Sequence, residues 1–204
     1  MPSTRPLKSI VFALALLGVL LMPRTGGAHP HVWVTTMVSF VFQDGKLVAL
    51  RQAWAFDDFF SASLIADFDK NKDGAFDAAE QAEIAAKAFA SLREFDYFTR
   101  VRQGFETLPI KNAENFSATL NKGLVFYGFT LPLGAPLDPG QGPITAGIYD
   151  ESFFVDVELD QTDPVKFDGI PSGACKYAVR EDPADAIYGG LVIPPSVTIE
   201  CINS

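Results

Sequence analysis

The chain has 204 residues, with 16 Lys and Arg against 25 Asp and Glu and a net charge of −9. A surface this acidic repels nucleic acid and anionic membranes and concentrates cations around itself, which sets nucleic-acid binding aside. The length suits one domain, with room for an insertion.

Arg5 and Lys8 precede an apolar run over 10–22, and Gly26-Gly27-Ala28 sets small residues where a signal peptidase needs them. This pattern predicts a secretory signal over 1–28, with an apolar core too short for a membrane span. Its removal takes Arg5, Lys8 and Arg24 with it and leaves a net charge of −12 on residues 29–204.

Cleavage after Ala28 makes His29 the first residue of the exported chain, followed by Pro30 and His31; the sequence has no other histidine. The α-amine and ring of His29 and the ring of His31 then offer three nitrogens, a donor set suited to Cu²⁺, Ni²⁺, Co²⁺ or Zn²⁺. Pro30 has no N–H, so the square-planar mode that recruits a backbone amide is blocked. Asp57 and Asp150 are candidates to complete the shell, although by spacing alone they suit helix capping and turn formation.

Residues 31–42 alternate as a strand, Gln43-Asp44-Gly45-Lys46 is an Asp-Gly turn, and 47–56 returns as a second strand. From 57 to 68 the period changes, with Phe60, Leu64, Ile65 and Phe68 on one helical face. A second helix is expected over 78–95 with Ile84, Ala88, Phe89 and Leu92 as its stripe, Asp77 as N-cap and Glu80 completing a capping box.

Between these helices, residues 69–80 match a Ca²⁺-binding EF-hand loop. A hard cation that takes six to eight oxygens would find side-chain oxygens on Asp69, Asn71 and Asp73 at positions 1, 3 and 5. Gly74 permits the sharp turn at position 6, Ala75 needs only its carbonyl at position 7, Asp77 acts through water at position 9, and Glu80 closes the cage at position 12. Phe76 at position 8 is apolar, as a loop docked on a partner requires. Mg²⁺ fits less well because it prefers to keep its waters. A lone loop of this kind suits a structural clamp.

Strand signals resume at 98–101, 116–120, 124–131, 144–149, 153–159, 175–179 and 197–202, with Gly and Pro clusters at 132–143 and 189–195. The expected fold is mainly β (α+β): an antiparallel β-sandwich or partial barrel over 29–204, with an EF-hand-like helix–loop–helix inserted at about 57–95. Cys175 and Cys201 are the two cysteines, and in an exported chain they are expected to form a disulfide contributing roughly 3 kcal/mol.

Taken together, several segments resemble the DUF1007 family of periplasmic proteins. They are His29-Pro30-His31-Val32-Trp33, Trp54-Ala55-Phe56-Asp57-Asp58-Phe59, the acidic loop, Phe95-Asp96-Tyr97-Phe98-Thr99 and Ile148-Tyr149-Asp150. The resemblance implies a component of a transport system working beside a membrane permease of the nickel/cobalt or zinc type. One departure is that Ser152-Phe153-Phe154 stands where two aromatic residues, often tyrosines, are expected after Asp150.

The leading expectation is a periplasmic metal-binding accessory protein that captures a transition metal through His29 and His31 for such a permease. The alternative is a Ca²⁺-stabilised structural or interaction module in which the histidines are incidental. Enzymatic readings fail on composition. A copper histidine brace needs a further distant histidine, and hydrolysis needs a base that the sequence does not supply.

Overall fold

A computed structural model describes residues 30–202; the expected signal over 1–28 and His29 lie outside the described residues. The first hairpin forms as its turn dictates: β1 (Val32–Gln43) and β2 (Lys46–Phe56) are joined by Asp44 and Gly45, both at positive φ, the conformation of a type I′ turn. Alternation then puts Val34, Thr36, Val38 and Phe40 of β1 in the core, with Leu50, Gln52, Trp54 and Phe56 of β2 beside them.

The helices follow directly. Asp57 caps α1 (Asp58–Phe68) by accepting from the Phe59 and Phe60 N–H groups, and Ser61, Leu64 and Phe68 face inward. Ser61 fastens the helix to the sheet, donating to the Phe56 carbonyl and accepting from the Val125 N–H at 3.0 Å. After the acidic loop, α2 (Ala78–Ile84) begins with the expected capping box between Asp77 and Glu80.

The expected helix over 78–95 does not continue as one α-helix. A π-helical turn occupies Ala85–Phe89 and a 3₁₀ segment Ala90–Phe98. Ile84 and Phe89 are both buried and lie five residues apart, a spacing that an i→i+5 turn brings to one face and an α-helix does not. The segment ends with Asp96, Tyr97 and Phe98 all at positive φ, a left-handed run without glycine.

The remaining strands are β3 (Thr99–Gln103), β4 (Glu106–Leu108), β5 (Glu114–Asn121), β6 (Leu124–Leu137), β7 (Ile144–Ile148), β8 (Val155–Leu159), β9 (Val165–Asp168), β10 (Cys175–Glu181) and β11 (Pro195–Cys201). One sheet runs β5-β6-β2-β1-β8, with β9 also on β1; the other runs β10-β11-β7-β3-β4. Neither closes into a barrel. The expectation of wholly antiparallel pairing is corrected, because β8 and β9 both run parallel to β1. The chain leaves the second sheet at Ile148, turns at Tyr149–Asp150, and enters the first sheet where β1 also starts, so β8 must run with it.

Both sheets and the helices contribute to one core. A chain of buried polar groups crosses it. The Trp54 indole N–H donates to Gln52 Oε1 at 2.5 Å, Gln52 Nε2 donates to Thr99 Oγ1 at 2.6 Å, and Thr99 Oγ1 donates to the Tyr97 carbonyl. This satisfies a glutamine that would otherwise be a costly core residue.

Candidate functional site

Four of the segments quoted above meet at one corner of the molecule. The Trp33 N–H donates to Asp57 Oδ2 at 2.9 Å, while the Asp57 N–H donates to the Trp33 carbonyl at 3.0 Å. The start of β1 is thereby tied to the start of α1. On the other side, the His31 N–H donates to the Phe154 carbonyl at 2.9 Å, and its ring lies 4.9 Å from the Phe154 ring. The Trp54 ring stacks on Phe98 at 5.9 Å, and the Phe98 carbonyl accepts from the Tyr149 N–H at 2.7 Å. The left-handed run at 96–98 makes this possible, turning the chain so that Phe98 reaches Trp54 while Tyr97 packs on Phe89.

Asp150, 5% exposed, is the hub of the next turn. Its Oδ1 accepts from the Ser152 N–H at 2.9 Å and its Oδ2 from the Phe154 and Val155 N–H groups at 3.1 and 3.0 Å. The Ser152 hydroxyl also donates to this carboxylate. Burial raises the affinity of the neighbouring Tyr149 hydroxyl for its proton; the Asp185 charge adds to this and Arg100, over the ring at 5.8 Å, opposes it.

Thus His31, Asp57 and Asp150 come to one corner, with different employment. Asp57 caps a helix and Asp150 builds a turn, while the exposed His31 ring makes no hydrogen bond among the described residues. Among the described residues no three His, Cys, Asp or Glu side chains gather as a ready metal cluster.

The acidic loop is stitched by its own backbone. Asp69 Oδ1 and Oδ2 accept from the Asp73 and Gly74 N–H groups, each at 3.2 Å. Asn71 Oδ1 accepts from the Asp73 N–H, and Asp73 Oδ1 from the Ala75 N–H. Glu80 Oε1 accepts from the Lys70 N–H at 2.7 Å, and its Oε2 from the Asp77 N–H at 3.0 Å. Asp69 is 7% exposed and Glu80 5%. These two buried carboxylates, at the two ends of the loop, have backbone N–H groups as their partners and no cationic side chain paired to them among the described residues. The side chains offer oxygens, the donor type Ca²⁺ takes, although they too are not gathered into a ready metal cluster among the described residues. Gly74, at positive φ with open space around it, is the residue the turn needs.

Gln81 ties this loop to the sheet. Its Nε2 donates to the Phe76 carbonyl at 3.0 Å and its Oε1 accepts from the Ala118 N–H of β5 at 3.3 Å. Sequence reasoning does not single out this residue, nor Gln52, because a polar residue in an amphipathic pattern reads as solvent-facing.

A family model described as "Protein of unknown function (DUF1007)" matches residues 14–189. A curated relative from Spirochaeta aurantia, an uncharacterized 15.5 kDa protein in the trpE 3′ region, is 31% identical over 131 residues, which are 64% of this chain and 93% of the relative.

Proposed function

The chain belongs to the DUF1007 family, and from that premise we propose that it is a periplasmic metal-binding accessory protein, not an enzyme. In this reading it captures Zn²⁺, Ni²⁺, Co²⁺ or Cu²⁺ through His29 and His31 and hands the ion to a nickel/cobalt- or zinc-type membrane permease. The observation that carries it is the His31 ring, exposed at the start of β1 with its nitrogens uncommitted among the described residues. Three nitrogens without a closed fourth ligand suit release as well as capture. The Cys175–Cys201 disulfide favours an oxidising compartment, and none of the described helices is long and apolar enough to cross a membrane. The same reading takes the two sheets as a sandwich and the segment from α1 through α2 as an EF-hand-like insertion that Ca²⁺ clamps to it.

Titration of the exported protein with each of the four metals, beside a His29→Ala/His31→Ala variant, tests the capture site. The variant is expected to lose the tight site; equal binding by the two proteins removes the assignment.

The clamp is tested separately. Ca²⁺ at about 100 times its dissociation constant stabilises a folded state by about 2.7 kcal/mol. In a domain of this size that is roughly 5–10 °C of melting temperature. Glu80→Gln, which keeps an oxygen for the capping box, is expected to abolish most of that Ca²⁺-dependent rise while changing the Ca²⁺-free midpoint little. A rise of the same size in the variant excludes Glu80 as a ligand.

A second reading, a Ca²⁺-stabilised structural or interaction module with no transition-metal role, draws on one observation. Asp57 and Asp150, the carboxylates expected to complete a shell, are each engaged by two or more backbone N–H groups. Retention of full activity by the histidine variant in the permease's transport assay favours this reading.

A further inference from the structure

The edge of the larger sheet carries features unrelated to metal binding. Among the described residues, strand β8 is the last strand on its side and pairs only with β1, since β9 lies on β1 further along. A cleft of about 460 Å³ runs beside it. All five residues of β8 border this cleft, although alternate side chains point to opposite faces of the sheet. The cleft therefore follows the strand's edge, where backbone groups lack a ladder partner, although the Val155 N–H is already held by Asp150 Oδ2. The far wall is apolar: Val179, Ile187, Val192, Ile193, Pro194 and Pro195.

The charge along this edge is one-signed. Asp156 and Glu158 sit two residues apart on the outer face, level with Trp33 and Thr35 of β1. Neither takes part in an ion pair among the described residues, and no Lys, Arg or His lines the cleft. Burial holds the Asp156 carboxyl above its ordinary range and the Glu158 charge pushes the same way, as two like charges without a counter-ion do. Asp160 differs, because its Oδ1 is occupied by the Thr162 and Asp163 N–H groups, each at 2.8 Å. A second copy of the chain does not suit the edge, because β8 against β8 would set acid on acid.

We propose that β8 is a docking edge for an extended basic segment of a partner protein. The segment adds as a strand beside β8, with Lys or Arg at alternate positions facing Asp156 and Glu158. The apolar residues between them turn toward the 187–195 wall. Backbone hydrogen bonds supply affinity and the alternate charges supply register and specificity.

The test uses the whole chain and a synthetic peptide of alternating lysine and valine, followed by calorimetry at low salt. The peptide is expected to bind, and a glutamate–valine peptide is not. Asp156→Asn/Glu158→Gln is expected to weaken binding about tenfold, the loss of two exposed ion pairs, with an unchanged melting temperature as the check on folding. N-methylation of every second amide, made in both registers, is expected to abolish binding in one register only. Equal binding by the double variant, equal binding by both N-methylated peptides, or no binding of the lysine–valine peptide each overturns the proposal.

Discussion

Replacing Trp54 by alanine is expected to lower the melting temperature by about 8–30 °C, the largest effect expected of any single substitution. Trp54 is 1% exposed and packs against Phe56, Phe98 and Phe129. Truncating a buried tryptophan costs about 3–5 kcal/mol. The same change removes the donor to Gln52 Oε1 and leaves a buried carbonyl oxygen unpaired, which adds ~1–3 kcal/mol. Gln52 is also the residue through which the sheets bond, so its loosening is felt at Thr99 in the other sheet. The natural control is Trp33→Ala. That indole is 45% exposed, and its removal should change stability by no more than ~0.5 kcal/mol. Thermal denaturation of the two variants side by side decides the matter. A Trp54→Ala midpoint within about 2 °C of the parent protein would show that Trp54 does not anchor the core.

The second large effect concerns the cysteines. Cys175 and Cys201 are opposed in the β10–β11 register and bonded, closing a stretch with a sequence separation of 26. Chain-entropy reasoning gives such a cross-link roughly 3.5 kcal/mol. For a domain of this length, Cys175→Ser/Cys201→Ser is expected to lower the melting temperature by about 7–14 °C. The loss should be concentrated at one place, because β10 is an edge strand paired, among the described residues, only with β11. Hydrogen exchange of the double variant should therefore show β10 amides losing protection before those of β1 and β2. Uniform loss across both sheets, or a midpoint unmoved by reduction, would contradict this.

Local chemistry made some of this fold legible. Asp44-Gly45 admits few conformations, and the hairpin follows from it. Asp57 and Asp77 are good N-caps, so the helix starts fall where they are expected. Two cysteines leave one intramolecular pairing. What escaped the sequence depends on distant partners. Period-two alternation says which face a residue takes and nothing about strand direction, so the parallel pairing of β8 and β9 with β1 was hidden. The strands β4 and β9, of three and four residues, are too short to carry a pattern. The left-handed run at Asp96, Tyr97 and Phe98 carries no glycine to announce it and exists because Trp54 and Phe89 hold the rings it delivers.

The candidate site divides the same way. The spacing of Asp69, Asn71, Asp73 and Glu80 is a local property and reads directly. That His31 lies on Phe154, and that Asp150 holds the turn which puts Phe154 there, is a property of the assembled corner. The acids at Asp156, Glu158 and Asp160 alternate in the sequence, and that alternation was the available sign of an unusual edge.

The two tryptophans in this chain occupy opposite environments. Trp33, partly exposed, lies at the surface two residues after His31, and Trp54 is buried in an aromatic nest between the sheets. An indole in water emits to the red of one surrounded by hydrocarbon, and a paramagnetic ion quenches only the fluorophore it approaches. The protein therefore carries its own pair of spectrally distinct optical reporters, one on the corner where β1 begins and one on the core, and events at these two places are separable by light without any label.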